Sequence, residues 1–158
     1  MSLAEQIFWG SSFLGLCMFL HVVCLALCAQ MLTNVADRTA SLHPALHIGL
    51  SMALTLVVLI LALTIQVWIW SLVWIGYGIL PDWNTAVYFS MVTFTTLGYG
   101  DVVLGPEARI FATFGSVTGL LGFGLSTAFL VAIAGRVLQK VLQDDQSSGA
   151  NKRANGAP

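Results

Sequence analysis

Apolar residues fill three long runs of this chain, and polar residues gather in the gaps between them. The first run extends from about Ile7 to Met31, the second from about His47 to Trp74 or a little beyond, and the third from about Ile110 to Leu138. Each exceeds the roughly 20 residues that a helix needs to cross a bilayer core. The pattern predicts three transmembrane helices, because only segments that satisfy their own backbone hydrogen bonds can cross lipid. Between the first two runs lies a polar linker with Asn34, Asp37, Arg38, Ser41, His43 and Pro44. Pro44 suits the first turn of the next helix, where a missing N–H loses nothing. Trp68, Trp70, Trp74 and Tyr77 crowd the far end of the second run. They form an aromatic group of the kind that anchors a helix at a membrane surface. Gly78 and Pro81-Asp82 then end it.

A shorter helical segment follows, from about Trp83 or Asn84 to Thr95, with Asp82 or Asn84 available as its N-cap. About 12 residues give roughly 18 Å, too short to cross a core of about 30 Å and enough to reach its middle. The chain must then turn back toward the surface it came from, as a re-entrant loop. Such a half-helix is tolerated at membrane depth only beside protein or water. Its C-terminal end carries the negative pole of the helix dipole, which favours a cation just beyond it. The third run is rich in small residues, among them Gly115, Ser116, Gly119, Gly122, Gly124 and Ser126, which permit close helix approach and easy bending.

Composition agrees with a membrane protein. Hydrophobic residues make up 58% of the 158 and charged residues 8%, against roughly a quarter charged in ordinary soluble domains. The net charge of −1 and six scattered Lys and Arg argue against nucleic acid as a partner. Cys17, Cys24 and Cys28 all lie inside the first run, which opposes a disulfide framework. Glu5 is the only charge before that run, whereas a cleaved signal sequence wants a basic start and a shorter apolar core.

The segment Thr95-Thr96-Leu97-Gly98-Tyr99-Gly100-Asp101 holds the candidate chemistry. It begins where the short helix ends, and two glycines alternate with bulkier residues. For successive carbonyls to face one axis, some residues must take positive φ, which Gly98 and Gly100 do at little steric cost. Rings of such carbonyls can replace the water shell of an ion. A single loop cannot surround an ion, so several copies related by a closed cyclic symmetry are required.

From about Ile48 to Arg136 the chain resembles the pore domain of tetrameric potassium channels, and within them the small bacterial members with one extra helix before the pore. The resemblance implies a homotetramer in which each chain gives an outer helix, a re-entrant pore helix and filter loop, and an inner helix. The organisation is then a transmembrane helix over 1–31, a cytoplasmic linker over 32–46, a pore domain over 47–142 and a disordered cytoplasmic tail over 143–158. Within the pore domain the outer helix covers about 47–80, the pore helix 83–95, the filter 96–101 and the inner helix 109–142. The function implied is passive, selective potassium conduction, with potassium as the permeant ligand and no cofactor, small-molecule substrate or catalytic residue. By the same resemblance, the carbonyls of Thr96, Leu97, Gly98 and Tyr99, with the Thr96 hydroxyl, form the ion sites, and Gly100 completes the strand. Thr95 and Tyr88 support the filter, and Asp101 stands at its outer mouth. Gly119 is the hinge candidate of the inner helix, with packing as its other role, and Phe123, Thr127 and Val131 are the candidates to line cavity and gate.

Three departures from the family pattern stand out. Leu97 occupies the place where valine is commonest. Val92 stands where many relatives carry a glutamate, so the hydroxyl of Tyr88 or Tyr99, or Trp83, is left to bond Asp101. The aromatic pair before the filter is Tyr88-Phe89, without the tryptophan of some relatives.

An outward-facing filter puts Arg38, Arg136, Lys140, Lys152 and Arg153 inside and only Arg109 outside, in keeping with the positive-inside tendency. That predicts a multi-pass protein of the cell's inner (plasma) membrane, with its N-terminus outside and its C-terminus in the cytoplasm. A two-span chain with an N-terminal surface helix is the rival topology. Rival functions are a less selective cation channel and a non-conducting regulatory subunit. Cys17, His21, Cys24 and Cys28 share one helix face, either as packed membrane surface or as soft metal ligands. His43 and His47, four apart, are either cap and interfacial residues or a sensor of cytoplasmic pH.

Overall fold

The computed structural model describes residues 1–38 and 44–155, and no strand occurs among them. Four helices run in chain order: α1 (Leu3–Arg38), α2 (Pro44–Gly76), α3 (Trp83–Phe94) and α4 (Arg109–Asn155). Three of them contain stretches long and apolar enough to cross a membrane, Leu3–Asn34, Ile48–Gly76 and Arg109–Arg136. The 12-residue α3 is the short one. The helix α1 packs against α2 and α4, and α3 is held between α2 and α4.

The boundaries differ from the sequence reading in instructive ways. Residues 32–38, expected in a linker, continue α1, because no Gly or Pro interrupts them and extending a helix is easier than starting one. The second helix ends at Gly76 and not near 80, because Gly78 takes φ 63 and closes it. At the other end of the chain, residues 143–155 continue α4, where a disordered tail is expected. An existing helix propagates cheaply once it has been started.

The packing centre is aromatic. Trp70 and Trp74 of α2 stack with ring centroids 5.2 Å apart. Trp74 meets Phe89 of α3 at 5.5 Å and Phe111 of α4 at 5.3 Å, both edge to face. Phe13 of α1 closes the group, 6.2 Å from Trp70 and 6.1 Å from Phe111. One cluster thus touches all four helices. The aromatic residues near the end of α2 therefore divide: Trp70 and Trp74 are buried, and only Trp68 and Tyr77 are exposed in the manner of surface anchors.

Glycines set how closely the helices approach. A Cβ on Gly10 of α1 would overlap the ring of Phe114, and one on Gly119 would overlap the Phe94 carbonyl at the end of α3. Gly115 faces Trp70 and Thr93, and Gly122 faces Leu63. Gly115, Gly119 and Gly122 lie on one face of α4, so the small residues of the third span mark where α2 and α3 seat.

Candidate functional site

The site is built at the end of α3, and its construction begins at the start of that helix. Asp82 is extended (φ −149, ψ 162) and its Oδ1 accepts the backbone N–H of Thr85 at 2.9 Å. Its Oδ2 accepts the Thr85 hydroxyl at 2.7 Å. The bond to the Thr85 backbone is the main reason that the Asp82 carboxyl sits below its ordinary range. Midway along, the hydroxyl of Ser71 in α2 meets that of Ser90 at 3.0 Å, a buried polar tie that fixes α3 against α2.

The end of α3 is unusual. The N–H of Thr96 bonds the carbonyl of Thr93 at 3.0 Å, and the N–H of Leu97 bonds that of Val92 at 3.0 Å. This pair of bonds is the Schellman termination, which places one left-handed residue just past the helix. That residue is normally glycine; here it is Thr96, at φ 59. It is the sole non-glycine with positive φ among the described residues. A β-branched residue in this region is a genuine outlier, and such strain costs on the order of 1–3 kcal/mol and gathers at functional sites.

The strand beyond repeats the sign. Gly98 has φ 55 and Gly100 φ 79, while Leu97 and Tyr99 do not share it. In an extended strand of uniform φ, successive carbonyls point to opposite sides. Reversing φ at every second residue turns alternate peptide planes over, so that the carbonyls can face one side. Thr96 thereby extends by one residue a pattern that the sequence assigns only to the two glycines. Residues 95–101 are all exposed in the single chain, Leu97 at 54% and Tyr99 at 68%, so one copy covers neither flank of the strand.

The far end is anchored. The Tyr88 hydroxyl donates to Asp101 Oδ2 at 2.6 Å, and Asp101 Oδ1 accepts the N–H of Val102 at 3.1 Å. Of the three candidates for this bond, Tyr88 makes it. The Tyr88 hydroxyl is the main reason that the Asp101 carboxyl sits below its ordinary range. Val92 lies buried behind the strand, its carbonyl taking the N–H groups of both Leu97 and Gly98. Thr95 donates its hydroxyl to the Met91 carbonyl at 2.7 Å, so it closes the helix and does not point along the strand.

On α4, Gly119 sits under the last carbonyl of α3, a contact that demands glycine for packing. Phe123 packs edge to face on Phe94 at 5.8 Å. Phe123, Thr127 and Val131 recur every four residues and are exposed in the single chain. Among the described residues no group of three or more His, Cys, Asp and Glu is placed to hold a metal. On the cysteine stripe, Cys17, His21 and Cys28 are buried. His43 and the His47 side chain lie outside the described residues.

Some supports have no motif to reveal them. Gln6 of α1 is buried, and its Oε1 accepts the N–H groups of Ile110 (3.1 Å) and Phe111 (3.3 Å), capping the start of α4. Its Nε2 reaches the Pro106 carbonyl at 3.4 Å. A glutamine beside the start of an apolar run was the only sequence signal for it.

Residues 53–139, more than half of the chain, match a family described as ion channel. Searches of curated proteins and of solved structures gave no match.

Proposed function

Because the chain belongs to that family of ion channels and is a multi-pass membrane protein, we propose that it conducts potassium selectively, as a homotetramer around a central pore. The permeant ion would exchange its water shell for the carbonyls of Thr96, Leu97, Gly98 and Tyr99 and the Thr96 hydroxyl. Movement is passive, each ion displacing the next between adjacent sites.

The observation that carries this reading is the alternation of positive φ at Thr96, Gly98 and Gly100 directly after a short helix. Such an alternation would bring a row of oxygens to one side of the segment, with the negative end of α3 next to its inner end. The exposure of that strand supports four copies. Irregular backbone at membrane depth needs protein or water on every side, and symmetry-related strands around an aqueous axis provide both. Asp101 then adds a ring of carboxylates at the outer mouth. Phe123, Thr127 and Val131, exposed in the single chain, would face the cavity below, and a cytoplasmic side holding Arg38, Arg136, Lys140, Lys152 and Arg153 would leave the N-terminus outside the plasma membrane.

The test is the reversal potential of the purified protein in a planar bilayer with potassium on one side and sodium on the other. A strong bias toward potassium is expected. Equal permeability would reduce the protein to a less selective cation channel, and a silent bilayer across voltage and pH would favour a non-conducting subunit.

A further inference from the structure

His21 is 1% exposed, in the middle of the first membrane-spanning segment, where two other helices meet it. An ionisable side chain at such a depth is costly and points to a role. From α2, Gln66 Nε2 lies 2.7 Å from His21 Nδ1. From α4, Ser126 Oγ lies 3.2 Å from His21 Nε2. One imidazole therefore ties the first helix to both helices of the pore.

The protonation state follows from the partners. Gln66 Nε2 also donates to the Ala62 carbonyl at 3.3 Å. A carbonyl only accepts, so the amide nitrogen must be on that side, and His21 Nδ1 must be the acceptor. The ring is then neutral, with its proton on Nε2 directed at Ser126. Gln66 Oε1, on the same 1% exposed side chain, has no partner. No Asp, Glu, Lys or Arg occurs between residues 6 and 36, 44 and 81, or 110 and 135. Among the described residues the hydrogen-bond partners of the ring are Gln66 and Ser126, with Cys17 and Cys24 one turn away on its own helix, and none is a counter-charge.

We propose that His21 is a proton-operated link between the first helix and the inner helix. A proton taken from water binds the Nδ1 lone pair that accepts the Gln66 N–H, so two donors then face each other and that bond is lost. The amide regains a bond by turning over, which gives the unpartnered Oε1 to the new Nδ1–H and withdraws the nitrogen from Ala62. Each protonation state therefore has its own arrangement of Gln66. The Nε2 contact with Ser126 passes the change to α4, one residue from Thr127. Such a two-state element is what a local charge change can bias.

The conduction arm of the test rests on the channel reading; the spectroscopic arm does not. The full protein, with histidines and glutamines labelled by nitrogen-15 and carrying His43→Gln and His47→Gln, would be placed in lipid and titrated from about pH 7.5 to about 5, across the ordinary imidazole range. The His21 ring should begin neutral with its proton on Nε2 and become doubly protonated, and the Gln66 amide signal should move with it. Open probability should change by about fivefold or more over the same interval, the lower end of ordinary coupling between sites. His21→Gln should conduct without that step. Ser126→Ala should keep the ring titration and lose its effect on opening. A ring that stays neutral, a Gln66 amide indifferent to its charge, a step that survives His21→Gln, or full coupling in Ser126→Ala would each overturn the link. In a protein passing no current the channel reading would fall, while the joint titration of His21 and Gln66 would still uphold or refute the link.

Discussion

Two helices of this chain end with the same hydrogen bonds and different residues. After α2, Gly78 takes φ 63, with its N–H on the Ile75 carbonyl and that of Ile79 on the Trp74 carbonyl. After α3, Thr96 takes φ 59 in the same arrangement. Gly78 meets no heavy atom that a Cβ would touch, so its place is a matter of backbone freedom alone. Thr96 accepts a conformation that costs an L-residue with a Cβ roughly 1–2 kcal/mol. The strain is tolerated where a hydroxyl has a use. Local rules are followed where the chain only turns and broken where it would meet an ion, and such breaks concentrate at functional positions.

This contrast can be broken at four points. The largest effect is expected from Gly98→Ala, which puts a Cβ on the second left-handed position of the strand (φ 55). Potassium current should vanish while the protein still assembles, as judged by bilayer recording and native mass; normal selective current would remove the filter assignment. Thr96→Gly should come next. It relieves the strain, so the melting temperature should hold or rise, yet loss of one oxygen on a cation, about 1.5–3 kcal/mol by analogy with bonds to charged groups, should cut potassium-over-sodium permeability about tenfold or more. Gly78→Ala is the mirror experiment: about 1 kcal/mol of stability lost with an unchanged reversal potential. The smallest change is expected from Tyr88→Phe. Because the Asp101 carboxyl is held below its ordinary range, the stability its ionised form contributes is complete above the unfolded value near 3.9 and lost as pH falls through the lowered one. Without the Tyr88 hydroxyl, the loss of current on external acidification should begin nearer that ordinary value.

What the sequence made legible follows from how local each feature is. The all-helical build, the three spans and the short helix before Thr96 were readable because run length and Asp82 are local signals. Gly98 and Gly100 were readable as positive-φ positions, since glycine marks them. Thr96 was not, because nothing about a threonine announces a left-handed backbone; only the unbroken alternation with its neighbours does. The extension of α1 and α4 beyond their apolar runs was not readable for a related reason. Residues 32–38 and 143–155 are polar, but polarity says where water is, and a helix already started extends through it, in the second case past Gly149. The inward turn of Trp70 and Trp74 and the partners of Gln6 and His21 depend on residues up to about a hundred positions away, which no local pattern encodes.

Gln6 has a bearing on how the protein could be engineered. Its single amide serves two backbone donors that lie 104 and 105 residues downstream. Cutting away the first helix would strand both donors at the start of α4, and would uncover the notch that Gly10 leaves for Phe114. The chain therefore cannot be shortened from that end without rebuilding the entrance to its fourth helix.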